Sequence, residues 1–249
     1  MQSGDEAHEA QPFLPLPRRA EDTTTTPERS RSVTPLPPSA ADTAATYEQC
    51  LVVLIRLLGV ESPPLASDTN QSHRVWHQRA RRAIAQAARQ AAVRDEWFEP
   101  FVRATVYDPD PSFNRRLVEP ALLAFGRRRV QVALLDYLRN GTDPERAGAA
   151  RAWYWTQVPL TYLAGSDTPT PESAAEFEAF ADLRREWRET ALQVFVSHAD
   201  VDVRRCILPG LDLSVRHYPE ALHGTVAEAI RIARTHSDEY LQHRVEHQL

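Results

Sequence analysis

The sequence contains no lysine, and all 29 of its basic residues are arginine. Guanidinium groups suit forked contacts with carboxylates and phosphates, but codon bias in a GC-rich genome gives the same pattern, so this absence assigns no function. Only eight glycines occur, and none of the patterns G-x-x-x-x-G-K-[ST], G-x-G-x-x-G or G-x-S-x-G is present. A phosphate-cradling loop is therefore not expected. The two cysteines, Cys50 and Cys206, are far apart among apolar neighbours and form no C-x-x-C. They read as buried free thiols in a reducing compartment rather than as a disulfide. Long hydrophobic runs are also missing. The longest, Cys50 to Val60, is interrupted by Arg56 and falls short of the ~20 apolar residues that span a bilayer. With no secretory signal visible at the N-terminus, the expectation is a soluble cytoplasmic protein with no membrane partner. The net charge of −5 and the pI near 6.0 argue against a protein built mainly to neutralise phosphates.

What is present is helical punctuation. Residues 1–45 carry one aromatic residue, seven prolines, a run of four threonines and the cluster Pro35-Leu36-Pro37-Pro38. This composition predicts a disordered tail, because it buries too little apolar surface to offset its ordering entropy. Within it, Pro12-Phe13-Leu14-Pro15-Leu16-Pro17-Arg18-Arg19 has the form of a polyproline ligand for a grooved partner. Beyond the tail, residues 46–249 read as one helical domain with no sustained strand alternation. The apolar spacing predicts helices over 47–58, 73–93, 97–107 and 112–125, and a long amphipathic helix over 176–198, followed by 203–213, 219–235 and 238–249. The clearest hairpin runs from Leu134 to Trp153. Its first helix is expected to close at Asn140-Gly141 with glycine in the left-handed conformation, and its second to start at Thr142-Asp143-Pro144.

The hairpins share a spacing. A polar turn residue is followed six positions later by an arginine in four places: Asp110 and Arg116, Asn140 and Arg146, His198 and Arg204, Asp238 and Arg244. The chain thus resembles the HEAT-repeat family of helical solenoids. The resemblance implies an all-α solenoid of about five antiparallel helix pairs: an irregular capping pair over 46–93, then hairpins over 94–126, 127–158, 174–215 and 219–249. It also implies an internal ladder between neighbouring repeats, made by the turn residue and the second-helix arginine, with Asn140 and Arg146 as the best match. His198 at an acidic position, and Pro120 and Pro209 inside second helices, depart from the pattern.

Candidate chemistry is sparse. His243-Arg244-Val245-Glu246-His247 fits the inverted zinc-protease pattern H-x-x-E-H, but a third ligand would have to come from upstream, so no metal or cofactor is expected. Asp108, Asp110, Asp200 and Asp202 sit in turns and read as helix caps. The charge distribution says more. Residues 73–151 hold 15 Arg against 9 acids, and residues 152–249 hold 9 Arg against 15 acids. Arg79 and Arg82 on one helix, and Arg127, Arg128 and Arg129 on the next hairpin, are candidates for an anion-attracting groove, with Arg151 nearby in sequence; a solvated face is the plainer alternative. Trp153 and Trp155 lie about 200° apart around a helix and cannot both face one core. One is covered by the 159–171 loop or stands exposed as an interface anchor.

Two functions fit these residues. The first, which HEAT resemblance most often implies, is a non-enzymatic scaffold binding a protein partner, one with an acidic surface if the arginines make the contact. The second is a nucleic-acid-binding protein similar to the HEAT-like alkylpurine DNA glycosylases, in which the arginine cluster and Trp153 or Trp155 would engage damaged duplex.

Overall fold

A computed structural model describes residues 35–37, 43–64 and 69–249, all within the unit Val33–Leu249. The polyproline-like segment Pro12–Arg19 and most of the expected tail lie outside the described residues.

Eleven α-helices follow one another among the described residues. The first, α1 (Ala44–Leu57), buries Tyr47, Cys50, Leu51, Leu54 and Ile55, a three-and-four spacing that puts one stripe inward. The second, α2 (Asn70–Gln90), starts where the Thr69 hydroxyl accepts the Ser72 N–H at 3.2 Å. A short 3₁₀ turn, Asp95–Trp97, leads into α3 (Phe98–Tyr107), and Asp108-Pro109 ends it. The next helix, α4 (Arg115–Phe125), carries the buried Pro120 and stops at Gly126, whose φ of 81° turns the chain directly into α5 (Arg127–Asn140). Then come α6 (Asp143–Trp153), α7 (Pro171–Glu178), α8 (Ala181–Ser197), α9 (Val201–Ile207), α10 (His223–Thr235) and α11 (Glu239–Glu246). The 157–170 connection holds an isolated antiparallel bridge between Tyr162 and Pro169.

Two expectations are corrected. The long helix expected over 176–198 is broken: α7 ends at Glu178, and α8 begins after Phe180, whose φ of −115° leaves the helical region. The Arg184 guanidinium lies over the Phe177 ring and donates to the Phe177 carbonyl, so it satisfies the end of α7 at the break. Gly141 is not left-handed; its φ is −70° and ψ 168°. Glycine is needed there for space, since a Cβ would meet the Tyr137 carbonyl oxygen at 2.5 Å and the Glu145 Cβ at 2.9 Å.

The helices pack in two rows. In one, α1 lies against α3, α3 against α6, α6 against α9, and α9 against α11; in the other, α2 contacts α4, α4 contacts α5, α5 contacts α8, and α8 contacts α10. Each hairpin contributes one helix to each row. The order within the hairpin reverses after α4, because α4 and α5 are sequential neighbours in the same row. The helices α3 and α6 approach so closely at Gly148 that a Cβ there would fall within 2.7 Å of the Val106 carbonyl carbon. A buried polar cluster locks α1, α2 and the end of α3 together. Tyr47 Oη donates to Asp108 at 2.9 Å, and Arg81 Nε donates to the same oxygen at 2.7 Å while its Nη2 donates to the other. Burial opposes the Arg81 charge, but the hydrogen bonds and charge of Asp108 outweigh it and hold the guanidinium pKa above its ordinary value.

Candidate binding surface

The three arginines that open α5 were expected to face a partner, and the structure spends them on its own chain. Arg127 donates to the carbonyls of Thr156 and, at 3.0 Å, Gln157. Burial there pulls its pKa below the ordinary arginine value, against the charge of Glu176 at 3.9 Å. Arg128 forms a forked pair with Asp182 at 2.7 and 3.1 Å and also donates to the Ala179 carbonyl at 2.7 Å. That hydrogen bonding lowers the Asp182 carboxyl to about 2. Arg129 pairs with Asp95 and covers the Phe98 ring at 3.9 Å. Arg139, three turns on, reaches Glu186 at 2.7 Å. The basic and acidic stretches of the sequence thus meet along the α5–α8 contact.

The tryptophans separate as their spacing requires. Trp153 is buried and stacks on Trp187, centroids 4.0 Å apart and planes 2° from parallel. Trp155 is half-buried, and its cover differs from both expectations: its Nε1 donates to the Pro111 carbonyl at 3.0 Å, and Arg115 lies 5.5 Å above its ring, so the α3–α4 connection takes it rather than the 159–171 loop. The aromatic ring left in solvent is the neighbouring Tyr154, 65% exposed. Only the alternation of inward and outward positions around Trp153 could have marked it.

Of the other candidate contacts, Arg79 and Arg82 are exposed on α2 and pair with nothing among the described residues. Arg151 is the opposite case, 8% exposed on α6. Its Nη1 donates to Cys206 Sγ at 3.4 Å, and its Nε has no hydrogen-bond partner among the described residues. It lines a narrow cleft, with about 70 Å³ of free space, walled by Pro109 and Pro111 on one side and by Asp202, Arg205 and Cys206 of α9 on the other. Leu36 and Pro37 also line this cleft, and Leu36 packs on the core.

Asn140 and Arg146, the best match to the implied ladder, do not bond each other. Asn140 turns back to Asp136 at 2.7 Å within its own helix, while Arg146 donates to the carbonyls of Leu138 at 3.1 Å and Arg139 at 2.8 Å. Arg204 does the same for the Phe195 carbonyl at 3.2 Å. In these two hairpins the arginine six residues past the turn closes the carbonyl end of the preceding helix. Repeat residues also link neighbouring hairpins: Arg146 meets His198 of the next turn, and Asp238 pairs with Arg205. His198 Nε2 lies 2.9 Å from both Asp143 and Arg146, and Arg205 pairs with Asp238 at 2.6 Å. Asp110 accepts the Ser112 N–H at 3.0 Å, Arg116 lies 5.4 Å over the Phe113 ring, Asp238 caps α11 by accepting the Leu241 N–H at 3.1 Å, and Arg244 Nε has no partner among the described residues. In the H-x-x-E-H stretch, Glu246 pairs with Arg234 at 2.8 Å and His247 Nδ1 meets the His243 carbonyl at 2.7 Å.

The aspartates that would otherwise suggest acid–base chemistry are also engaged. Asp108 holds Arg81 and Tyr47, Asp200 caps α9 by accepting the Val203 N–H at 2.9 Å, and Asp202 pairs with Arg205 at 3.2 Å. No protein-family model, curated protein or solved structure matches this chain.

Proposed function

We propose that this chain is a non-enzymatic protein-binding scaffold whose helix pairs stack as a short α-solenoid similar to HEAT repeats. The observation that supports it is the two-row stacking, in which each hairpin contacts the next through one helix in each row. Such a stack offers an extended surface made of many short elements, the form that suits recognition of another chain. The reversal between α4 and α5 makes it an irregular member of that class. Arg79 and Arg82, exposed and unpaired among the described residues, are its best-placed contacts for a partner with an acidic surface. The internal pairing of Arg128 with Asp182 and of Arg129 with Asp95 favours the scaffold over a duplex-binding groove.

The test is affinity capture with the full chain against an Arg79→Glu/Arg82→Glu variant of equal melting temperature. Capture of a specific protein by wild type, reduced in the variant, is the expected result; a wild-type chain that captures no specific protein overturns the reading. Duplex DNA titrated at low and high salt provides the contrast. Binding that falls steeply with salt would replace the scaffold with a nucleic-acid partner.

A further inference from the structure

The outward charge of α2 is uncompensated. This helix of 21 residues carries five arginines and no acidic residue, and it stands at the end of its row, packed against α1 and α4. Arg81 is spent inside on Asp108. The other four, Arg74, Arg79, Arg82 and Arg89, are exposed. At about 100° and 1.5 Å per residue, Arg74, Gln78, Arg82 and Arg89 fall within about 80° of one another around the helix and extend over about 22 Å of its length, with Arg79 on the flank. Arg74, Arg79 and Arg82 have no ion pair among the described residues, and Arg89 has Glu119 at 3.9 Å, a carboxylate it shares with Arg115. Like charges one turn apart, as at Arg79 and Arg82, destabilise a helix, so carboxylates laid along this face would relieve it.

The fold shows what covers such a face elsewhere. Farther along the same row, α5 also presents arginines, and α8 lies on it with Asp182 against Arg128 and Glu186 against Arg139, each at 2.7 Å. A helix with carboxylates along one side is thus this chain's own answer to an arginine-lined helix, and α2 has the arginines without that cover. A nucleic acid suits the face less well. No exposed Phe, Tyr or Trp of α2 offers a base a surface to stack on, and the Glu119 carboxylate beside Arg89 would repel a phosphate. We propose that the exposed face of α2 is a docking surface for a helix of a partner protein that carries carboxylates along one side, laid on α2 as α8 is laid on α5. The inference deepens the scaffold reading and rests on it, naming the kind of partner and adding Arg74 and Arg89 to its contacts.

The test titrates the full-length chain into a fluorescent, alanine-based helical peptide with glutamates along one face, read by anisotropy at low and at physiological salt. Binding is expected at low salt and should weaken as salt screens the exposed charges. Arg74→Glu/Arg82→Glu should lower the affinity at least about tenfold, because two attractions become repulsions. A peptide of the same composition with its glutamates distributed all around the helix should also bind at least about tenfold more weakly, since fewer of them reach the stripe at once. No binding at low salt, equal binding of the two peptides, unchanged binding by the variant, or tighter binding of a DNA duplex than of the one-faced peptide each overturns the proposal. If charge reversal lowers the melting temperature, Arg74→Gln/Arg82→Gln takes its place and is read by the same criteria. Capture of a specific protein without peptide binding sinks this inference and leaves the scaffold reading standing; peptide binding without any captured protein does the reverse.

Discussion

Arg128 and Asp182, 54 positions apart in sequence, form a forked ion pair across the α5–α8 contact. Arg139 with Glu186 and, at longer range, Arg127 with Glu176 continue the line. The charge asymmetry that suggests a basic groove in the sequence is thereby turned inward, with each half of the chain answering the other. Exposed pairs of this kind add little stability singly. Here they lie along a contact whose buried face is apolar, Leu183, Trp187 and Ala191 of α8.

The Arg81–Asp108 pair is a different matter, because Asp108 is fully buried. Asp108→Ala leaves a guanidinium and a phenol without their acceptor, and should cost about 3–5 kcal/mol. Chemical denaturation should show this loss, and Tyr47→Phe, which removes only one of the four hydrogen bonds that Asp108 accepts, should cost far less.

Arg146 and Asn140 separate a helix-closing role from a local one. Arg146→Ala removes two carbonyl contacts at the end of α5 and the link to His198, and should destabilise by about 1.5–3 kcal/mol. Asn140→Ala, losing only an exposed contact with Asp136, should stay within about 0.5 kcal/mol of wild type. Equal losses in thermal unfolding would restore a ladder between these two residues.

Gly148→Ala gains helix propensity, yet it should destabilise by about 3 kcal/mol or more. The added methyl group meets the Val106 backbone, which cannot move without separating α3 from α6. A variant as stable as wild type would show that these two helices do not approach as described.

Asp238 serves both as the cap of α11 and as the partner of Arg205. Burial raises its pKa, but the Arg205 and backbone hydrogen bonds more than offset this, so the folded carboxyl lies below its ordinary value. An unfolded aspartate titrates near pH 4. The stabilisation is therefore complete above about pH 4 and is lost as pH falls through the lower folded value. Asp238→Ala should cost about 2 kcal/mol at neutral pH. Asp238→Asn keeps a capping oxygen and should cost less, with a shallower loss of stability in acid.

The helices themselves were legible, because their signals are local. Apolar positions recur at three and four, Thr142-Asp143-Pro144 opens α6, and Gly126 and Gly141 punctuate its neighbours. Gly148, inside an Ala-rich helix where glycine costs about 1 kcal/mol, was a readable sign of close approach. The break at Ala179-Phe180 was not legible, since the apolar spacing runs through it and distant or later residues, Arg128 at the Ala179 carbonyl and Arg184 at Phe177, hold it.

The sequence by itself determined that this is a chain of helix pairs, and roughly where each pair turns. Tertiary structure alone decided what the side chains do. It stacked Trp153 on Trp187, gave the α5 arginines partners some 30 to 50 residues away, reversed the hairpin order between α4 and α5, and brought Leu36 and Arg151 to one cleft. The reason is physical. A helical period encodes which face is apolar, but not which distant face or charge will cover it, and that choice depends on how all the rows fit together at once.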